Sequence, residues 1–192
     1  MLALAEIFYS VQGEGTWTGT PTVFVRLAGC NLNCRFCDTD YSTKDFLSCE
    51  DIVARVRELG ASCPMVVLTG GEPFAQRESS DLIEALRADG RRVHIESNGT
   101  IAVELPGDVW LTVSPKERLH PQMAARANEV KLIVDGRVPR EWLDAFSARA
   151  LPIFLQPEGN KRPNVALALE AAKAEPARFR LGLQTHKFIG IP

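Results

Sequence analysis

Cys30, Cys34 and Cys37 place three thiols in the run Cys30-Asn31-Leu32-Asn33-Cys34-Arg35-Phe36-Cys37, a C-x3-C-x2-C spacing with no obvious fourth partner nearby. Iron–sulfur cubanes are normally held by four thiolates, so a three-thiolate site leaves one iron open to a ligand that is not protein. An open metal position marks chemistry rather than scaffolding, the same logic that separates catalytic from structural zinc sites. Two plainer readings stand beside this one. The thiols could be half of a structural zinc site completed by Cys49, Cys63 or a histidine, although no second knuckle of the usual kind exists, or they could be unliganded. Disulfides fit poorly, because the chain has five cysteines and no secretory segment. Cys49 precedes a helical pattern and Cys63 precedes Pro64 at a strand entry, so both read as small buried residues.

Other polar residues gather where strands end. Gly70-Gly71-Glu72-Pro73 follows an apolar run, and its glycines let backbone groups approach a neighbour closely. A plain turn has the same pattern. Glu96, Ser97 and Asn98 close the next strand, placed either to hydrogen-bond ribose hydroxyls or to cap a turn. Glu6-Ile7-Phe8-Tyr9-Ser10-Val11-Gln12-Gly13-Glu14-Gly15 joins apolar alternation to a glycine-flanked polar turn that presents Gln12 and Glu14.

The elements that must position these residues follow from periodicity. Strands are expected over 22–27, 65–69, 93–96, 110–113, 130–134, 153–156 and 181–184. Ser48 with Asp51 marks a helix start that runs to Gly60, and Ser80 is placed to cap a second helix ending at Gly90. Further helical stretches lie near 139–147 and 165–174, while 116–128 is poorly patterned. Alternating strands and helices predict an α/β fold with a parallel sheet. A closed eight-unit barrel needs about 250 residues, so 192 residues suit a partial, open TIM-like barrel of about six parallel strands. Functional residues then belong at the carboxyl ends of the strands, where the motifs above fall. No repeat or linker divides the chain, and 1–192 reads as a single domain.

A hydrophobic fraction of 45%, a charged fraction of 24% and a net charge of −2 fit a soluble globular protein and exclude the basic face of a general nucleic-acid binder. No apolar run approaches the ~18 residues of a membrane span, and Glu6 interrupts the apolar start too early for a signal peptide. The expected compartment is the cytoplasm, where thiols stay reduced.

The cysteine motif, with Phe36 before its last member, and the G-G-E-P element resemble the radical S-adenosylmethionine (SAM) superfamily. That resemblance implies a 4Fe–4S cluster on Cys30, Cys34 and Cys37 whose open iron is chelated by the methionine part of SAM. It further implies SAM contacts at Gly71 and Glu72, at Glu96 and Asn98, at Ser114, Pro115 and Lys116, and along Gln156, Pro157, Glu158 and Gly159. The N-terminal motif, Arg26, Cys37-Asp38-Thr39 and Gln184-Thr185-His186-Lys187 are similar to the 7-carboxy-7-deazaguanine synthase family, and the likeness runs from Glu6 through Pro192. It implies conversion of 6-carboxy-5,6,7,8-tetrahydropterin to 7-carboxy-7-deazaguanine and ammonia through hydrogen abstraction at C6 and ring contraction. Val11, Gln12 and Gly13 match the segment that holds the pterin, with Glu14 beside it. Arg26 matches the residue facing the substrate carboxylate, where a guanidinium can make paired hydrogen bonds. Thr69, His186 and the carboxylate of Pro192 match further substrate contacts. Thr39 matches a magnesium ligand, an oxygen donor suited to a cation that binds few protein groups. The compact cysteine loop lacks an insertion found in parts of the family. The resemblance also implies an electron donor such as flavodoxin or ferredoxin, and a homodimer. The rival readings are a glycyl-radical activating enzyme, whose extra cysteine clusters this chain lacks, and a non-catalytic metal module.

Overall fold

The computed structural model describes all 192 residues. Its contacts group them into two compact units, each assembled from three separate segments: Met1–Val11, Thr20–Ser97 and Val103–Leu111 in the first, Gln12–Gly19, Asn98–Ala102 and Thr112–Pro192 in the second.

In the first unit, strand β1 (Leu2–Val11) pairs antiparallel with both β2 (Pro21–Leu27) and β3 (Asp45–Leu47). Helix α1 (Cys49–Leu59), strand β4 (Met65–Gly70), helix α2 (Ser79–Ala88) and strand β5 (Arg92–Ser97) follow, and β2, β4 and β5 run parallel in the strand order β3-β1-β2-β4-β5. Val66, Val67 and Leu68 are fully buried, so β4 is apolar on both faces there, as interior strands of parallel sheets are, while β2 buries Val23, Val25 and Leu27 on one face and carries Thr22, Phe24 and Arg26 on the other. Burying each such side chain contributes about 1.5–3 kcal/mol. The Ser48 hydroxyl accepts the Asp51 N–H at 3.1 Å and turns Ile52, Val53 and Val56 inward on α1. Helix α2 starts two residues earlier than its sequence signal: Glu78 rather than Ser80 is the N-cap and Ser79 the first residue, so Ser80 lies inside it. Strand β1 begins at Leu2, four residues ahead of the alternation read from Glu6, and ends at Val11 before the polar turn.

In the second unit, β6 (Trp110–Val113, whose last two residues belong here), α3 (Pro121–Arg126), β7 (Glu129–Val134), β8 (Ile153–Pro157), α4 (Arg162–Ala174), β9 (Phe179–Leu181) and α5 (Thr185–Ile189) follow in turn. Strands β6-β7-β8-β9 are parallel neighbours in that order. Residues Arg140–Phe146 form a 3-10 helix. The unpatterned stretch holds α3, started by the His120 ring accepting the Gln122 N–H at 3.2 Å, with Pro121 in the first turn where its missing N–H costs nothing. The last strand differs from the expected 181–184. Asn160 bonds the Gln184 carbonyl (3.2 Å) and N–H (3.4 Å) through its side chain, so these backbone groups are not left to continue a ladder. No helix is long and apolar enough to cross a membrane.

Candidate functional site

In the first unit the chain leaves β2 at Leu27 and enters a loop over 28–44 that contains no helix or strand. Its base is closed by Gly29 N–H to the Tyr41 carbonyl (2.9 Å), Lys44 N–H to the Leu4 carbonyl (2.7 Å) and the Gln76 amide to the Ala28 carbonyl (3.0 Å). Within it Cys30 and Cys34 are half-buried and Cys37 exposed, and none of the five cysteines of the chain is in a disulfide. The Cys37 N–H donates to the Cys34 carbonyl at 3.1 Å. Burial pushes the Cys30 thiol up from 9.0, the Leu32 N–H opposes this, and the negative charge of Glu72 adds to it. Ligation removes that proton in any case, because the thiolate is the metal ligand. No three His, Cys, Asp or Glu side chains are gathered as a preformed metal site, the three loop thiols included. Cys63 is buried, and its thiol donates to the Pro21 and Met65 carbonyls at 3.3 Å each, a packing role.

The end of β4 folds directly onto this loop. Gly71 N–H reaches the Leu27 carbonyl (3.4 Å) and Glu72 N–H the Gly29 carbonyl (3.1 Å). A methyl group at Gly71 would lie 2.1 Å from the Gly29 carbonyl oxygen and 2.6 Å from Cys30 Cβ. The neighbour that needs the missing side chain is therefore the cysteine loop itself. The fully buried Glu72 accepts the Phe74 N–H (3.2 Å) and the Ser97 hydroxyl (2.9 Å) on one oxygen, which ties the ends of β4 and β5 together. Glu96 is half-buried one residue before Ser97.

Three adjacent strands carry a row of polar residues in register, Glu6 opposite Arg26 and Arg26 opposite Thr69. The Arg26 guanidinium pairs with Glu6 at 2.9 Å, lies 5.5 Å from the centre of the Phe8 ring and keeps a buried Nε–H with no hydrogen-bond partner. Thr39 is half-buried, its carbonyl 3.9 Å from Cys37 Sγ. Next to it, bonds from the Ser42 hydroxyl and N–H, then from Lys44, hold the Asp40 carboxyl down at about 2, so this acid serves its own turn.

The second unit holds the remaining candidates. Gln12 is buried and accepts the Glu14 N–H at 3.1 Å. The Gly13 carbonyl takes both the N–H (3.0 Å) and the hydroxyl (2.9 Å) of Thr185, and the His186 ring lies where a side chain on Gly13 would be, 2.1 Å from an added methyl. Gln12–Glu14 and His186 are thus brought together, though 172 positions separate Gly13 from Thr185. One oxygen of Glu14 receives the Gln156 amide (3.1 Å) and the other the Lys131 ammonium (2.5 Å). Ser114 donates to the Lys131 carbonyl (2.8 Å), and Lys116 folds back onto Ser114. Pro115 and Pro157 are buried. The Asn98 Oδ1 accepts the Thr100 N–H (2.9 Å) and hydroxyl (2.6 Å) and so caps a turn. Glu158 pairs with Lys161 at 2.7 Å, and Gly159 adopts a left-handed φ of 57°. Pro192 is exposed.

Residues 24–109 match the family model of the radical SAM superfamily. The chain is 40% identical, over all of its own length and 99% of the other, to the 7-carboxy-7-deazaguanine synthase of Bacteroides thetaiotaomicron. It is 37% identical to the enzyme of the same name from Rhodospirillum rubrum, covering 99% of this chain and 92% of that one. The crystal structure of QueE from Escherichia coli superposes with a TM-score of 0.81 at 31% identity, over 96% of this chain and 94% of that one. The chain belongs to the 7-carboxy-7-deazaguanine synthase family. The α/β, partial open barrel expected from the sequence is the fold of this family. Streptococcus suis SuiB shares the fold at 12% identity, with a TM-score of 0.59 over 80% of this chain and 46% of that one.

The chain's likeness to 7-carboxy-7-deazaguanine synthases did not bring forward every residue around the candidates. Lys131 and Glu129 of β7 and Asn160 were missed. Lys131 touches Glu14 across 117 positions and Glu129 touches Thr16 across 113. The one signal for the pair was two charges, two residues apart, in an otherwise apolar strand, where an unpaired charge is costly.

Proposed function

We propose that this chain is the radical SAM lyase that converts 6-carboxy-5,6,7,8-tetrahydropterin to 7-carboxy-7-deazaguanine and ammonia. The observation that carries this is identity of 40% across the whole chain to an enzyme of that name. The donor set agrees with it: three thiols outside any disulfide share one short loop, and the loop packs against the glycine turn at the end of β4. When bound, a 4Fe–4S cluster and SAM supply one-electron, hydrogen-abstracting chemistry, and the protein supplies orientation and exclusion of competing reactions.

On the first unit, Cys30, Cys34 and Cys37 hold the cluster, and Gly71, Glu72 and Glu96 contact SAM. The Glu72 carboxylate already serves Phe74 and Ser97, which supports a backbone contact at this turn. Arg26, whose Nε–H lacks an acceptor, faces the substrate carboxylate together with Thr69, and Thr39 offers magnesium an oxygen. Val11 leads into the pterin segment. On the second unit, Gln12, Gly13, Glu14, His186 and Pro192 hold the substrate, while Asn98, Ser114, Pro115, Lys116, Gln156, Pro157, Glu158 and Gly159 contact SAM. Gln156 also steadies Glu14.

The proposal extends to a flavodoxin- or ferredoxin-type reductant, a homodimer, a cytoplasmic setting, and 1–192 acting as one domain. The interleaving of the two units along the chain supports the last point. Anaerobic reconstitution with SAM, reductant, magnesium and C6-deuterated carboxytetrahydropterin tests the reading. Deazaguanine acid is expected by mass, with label in deoxyadenosine or SAM and lower turnover without magnesium; no product from cluster-loaded protein would overturn it.

A further inference from the structure

We propose that Lys131 is a positioning residue for Glu14, and that the pair fits the second unit to a neutral heterocycle edge bearing two N–H groups rather than to a cation. The inference rests on the reading of Glu14 as a substrate contact. Its basis is the 2.5 Å pair between Lys131 Nζ and one Glu14 oxygen, with side chains only 13% and 11% exposed. Gln156, itself 4% exposed, donates to the other oxygen at 3.1 Å.

Two charges at that depth give up much of their hydration, so the pair is weak support for stability and better understood as a device that fixes geometry. An ionised carboxylate offers about four acceptor directions. Lys131 and Gln156 take one on each oxygen and thereby set the plane of the group. The direction left on each oxygen suits a bidentate partner with two neighbouring N–H donors, such as the lactam N–H and amino group of a pterin. A lone carboxylate would attract cations; with Lys131 beside it the pair is neutral, and a neutral ring meets no charge mismatch.

The loop backbone is held independently. Glu129 shares a face of β7 with Lys131 and takes the Thr16 N–H (2.8 Å) and the Thr112 hydroxyl (3.2 Å). Gly15 is left-handed at φ 65°, and a side chain there would come within 2.1 Å of that carboxylate. Thr185 holds Gly13 from the other end. Removing the Lys131 ammonium therefore frees the Glu14 side chain while the turn stays in place.

The test measures equilibrium binding of carboxytetrahydropterin to anaerobically reconstituted, unreduced holoenzyme, with KM and kcat alongside. Lys131→Met is expected to weaken binding by about 30-fold, the scale for stripping one partner from a desolvated charge pair. The rise should appear in KM with kcat within about threefold, SAM binding should not change, and Lys131→Arg should recover part of the loss. Lys131→Met/Glu14→Gln should bind no worse than Glu14→Gln alone, because Lys131 acts through Glu14. Multiplying losses in the double variant overturn the inference, as does a Lys131→Met protein that binds normally while Glu14→Gln does not. If Lys131→Met alone fails to fold, the double variant, which buries no lone charge, decides the matter against Glu14→Gln. Unchanged binding in Glu14→Gln would sink the underlying reading of Glu14 and the inference with it.

Discussion

The loop over 28–44 and the loop over 12–19, to which we assign the cluster and the substrate contacts, are built differently. The first has no helix or strand, is joined to the neighbouring strands at its base, and keeps its three thiols out of disulfides. The second is bonded along its length: Gln12 to Glu14 and Gly19, Gly13 to Thr185, Glu14 to Lys131 and Gln156, Thr16 to Glu129. The difference follows from bond strength. Metal–thiolate bonds are strong enough to order their own ligands, so binding free energy can serve as local folding energy. A heterocycle held by hydrogen bonds gains affinity only if the donors and acceptors are fixed beforehand.

The sharpest way to break that contrast is Cys34→Ser. It should abolish cluster content, read as iron and sulfide, and with it turnover, yet leave unfolding of the metal-free protein within about 0.5 kcal/mol of the parent. A strongly destabilised metal-free variant would mean that the loop is structural. Gly13→Ala is the opposite experiment. Its methyl would meet the His186 ring at 2.1 Å, so the ring or the turn must shift. Cluster content should be unchanged while substrate affinity falls roughly 10- to 100-fold, since a misplacement of about 1 Å is that costly. Normal binding would show that the 12–19 loop is not the preorganised partner.

Gly71→Ala sharpens the comparison where the cysteine loop meets a rigid strand. An added methyl 2.1 Å from the Gly29 carbonyl and 2.6 Å from the Cys30 Cβ has no flexible side-chain end to push aside. Overpacking of this kind costs about 1–3 kcal/mol, so both the stability of the metal-free protein and its cluster loading should drop. Stability unchanged with loading lost would place the strain in the loop alone.

The same contrast explains what the sequence made legible. Cluster ligation depends on residue type and short spacing, so Cys30, Cys34 and Cys37 stand out as candidates from the sequence alone. The Ser48 cap and the apolar runs of β2 and β4 are equally local and appear where expected. The preorganised loop is not local. Gln12 and Glu14 stood out because glycines flank them, whereas Lys131, Glu129 and Asn160 are defined by partners distant in the chain. Their backbone periodicity says only strand or turn. The end of β9 went astray for that reason too, since a side chain 24 positions away bonds the Gln184 backbone. The fold class survived these misses because it rests on alternating elements, not on their exact ends.

The smallest effect is expected at a charged cluster of the first unit that serves neither loop. Asp89, 8% exposed, closes α2 and accepts from Arg91 (2.8 Å) and Arg57 (2.5 Å). Arg91 in turn donates to the Gly60 carbonyl at 2.8 Å and to that of Cys63, so the cluster ties α2 to the segment after α1. The Arg91 hydrogen bond, then those of Arg57, hold the Asp89 carboxyl below its usual 3.8. The sign follows from which state takes up the proton first. Above 3.8 the group is ionised in both states and its full contribution is present. As pH falls below 3.8 the unfolded chain binds the proton first, and the contribution fades until the folded carboxyl is protonated as well. Asp89→Asn should therefore cost about 1–2 kcal/mol at neutral pH, with cluster content and turnover at the parent level. In urea melts the gap between variant and parent should narrow progressively as pH drops below 3.8. A gap that stays constant across that range would assign the loss to the shape of the side chain rather than to its charge, and a loss of turnover would end the separation of this cluster from the two loops.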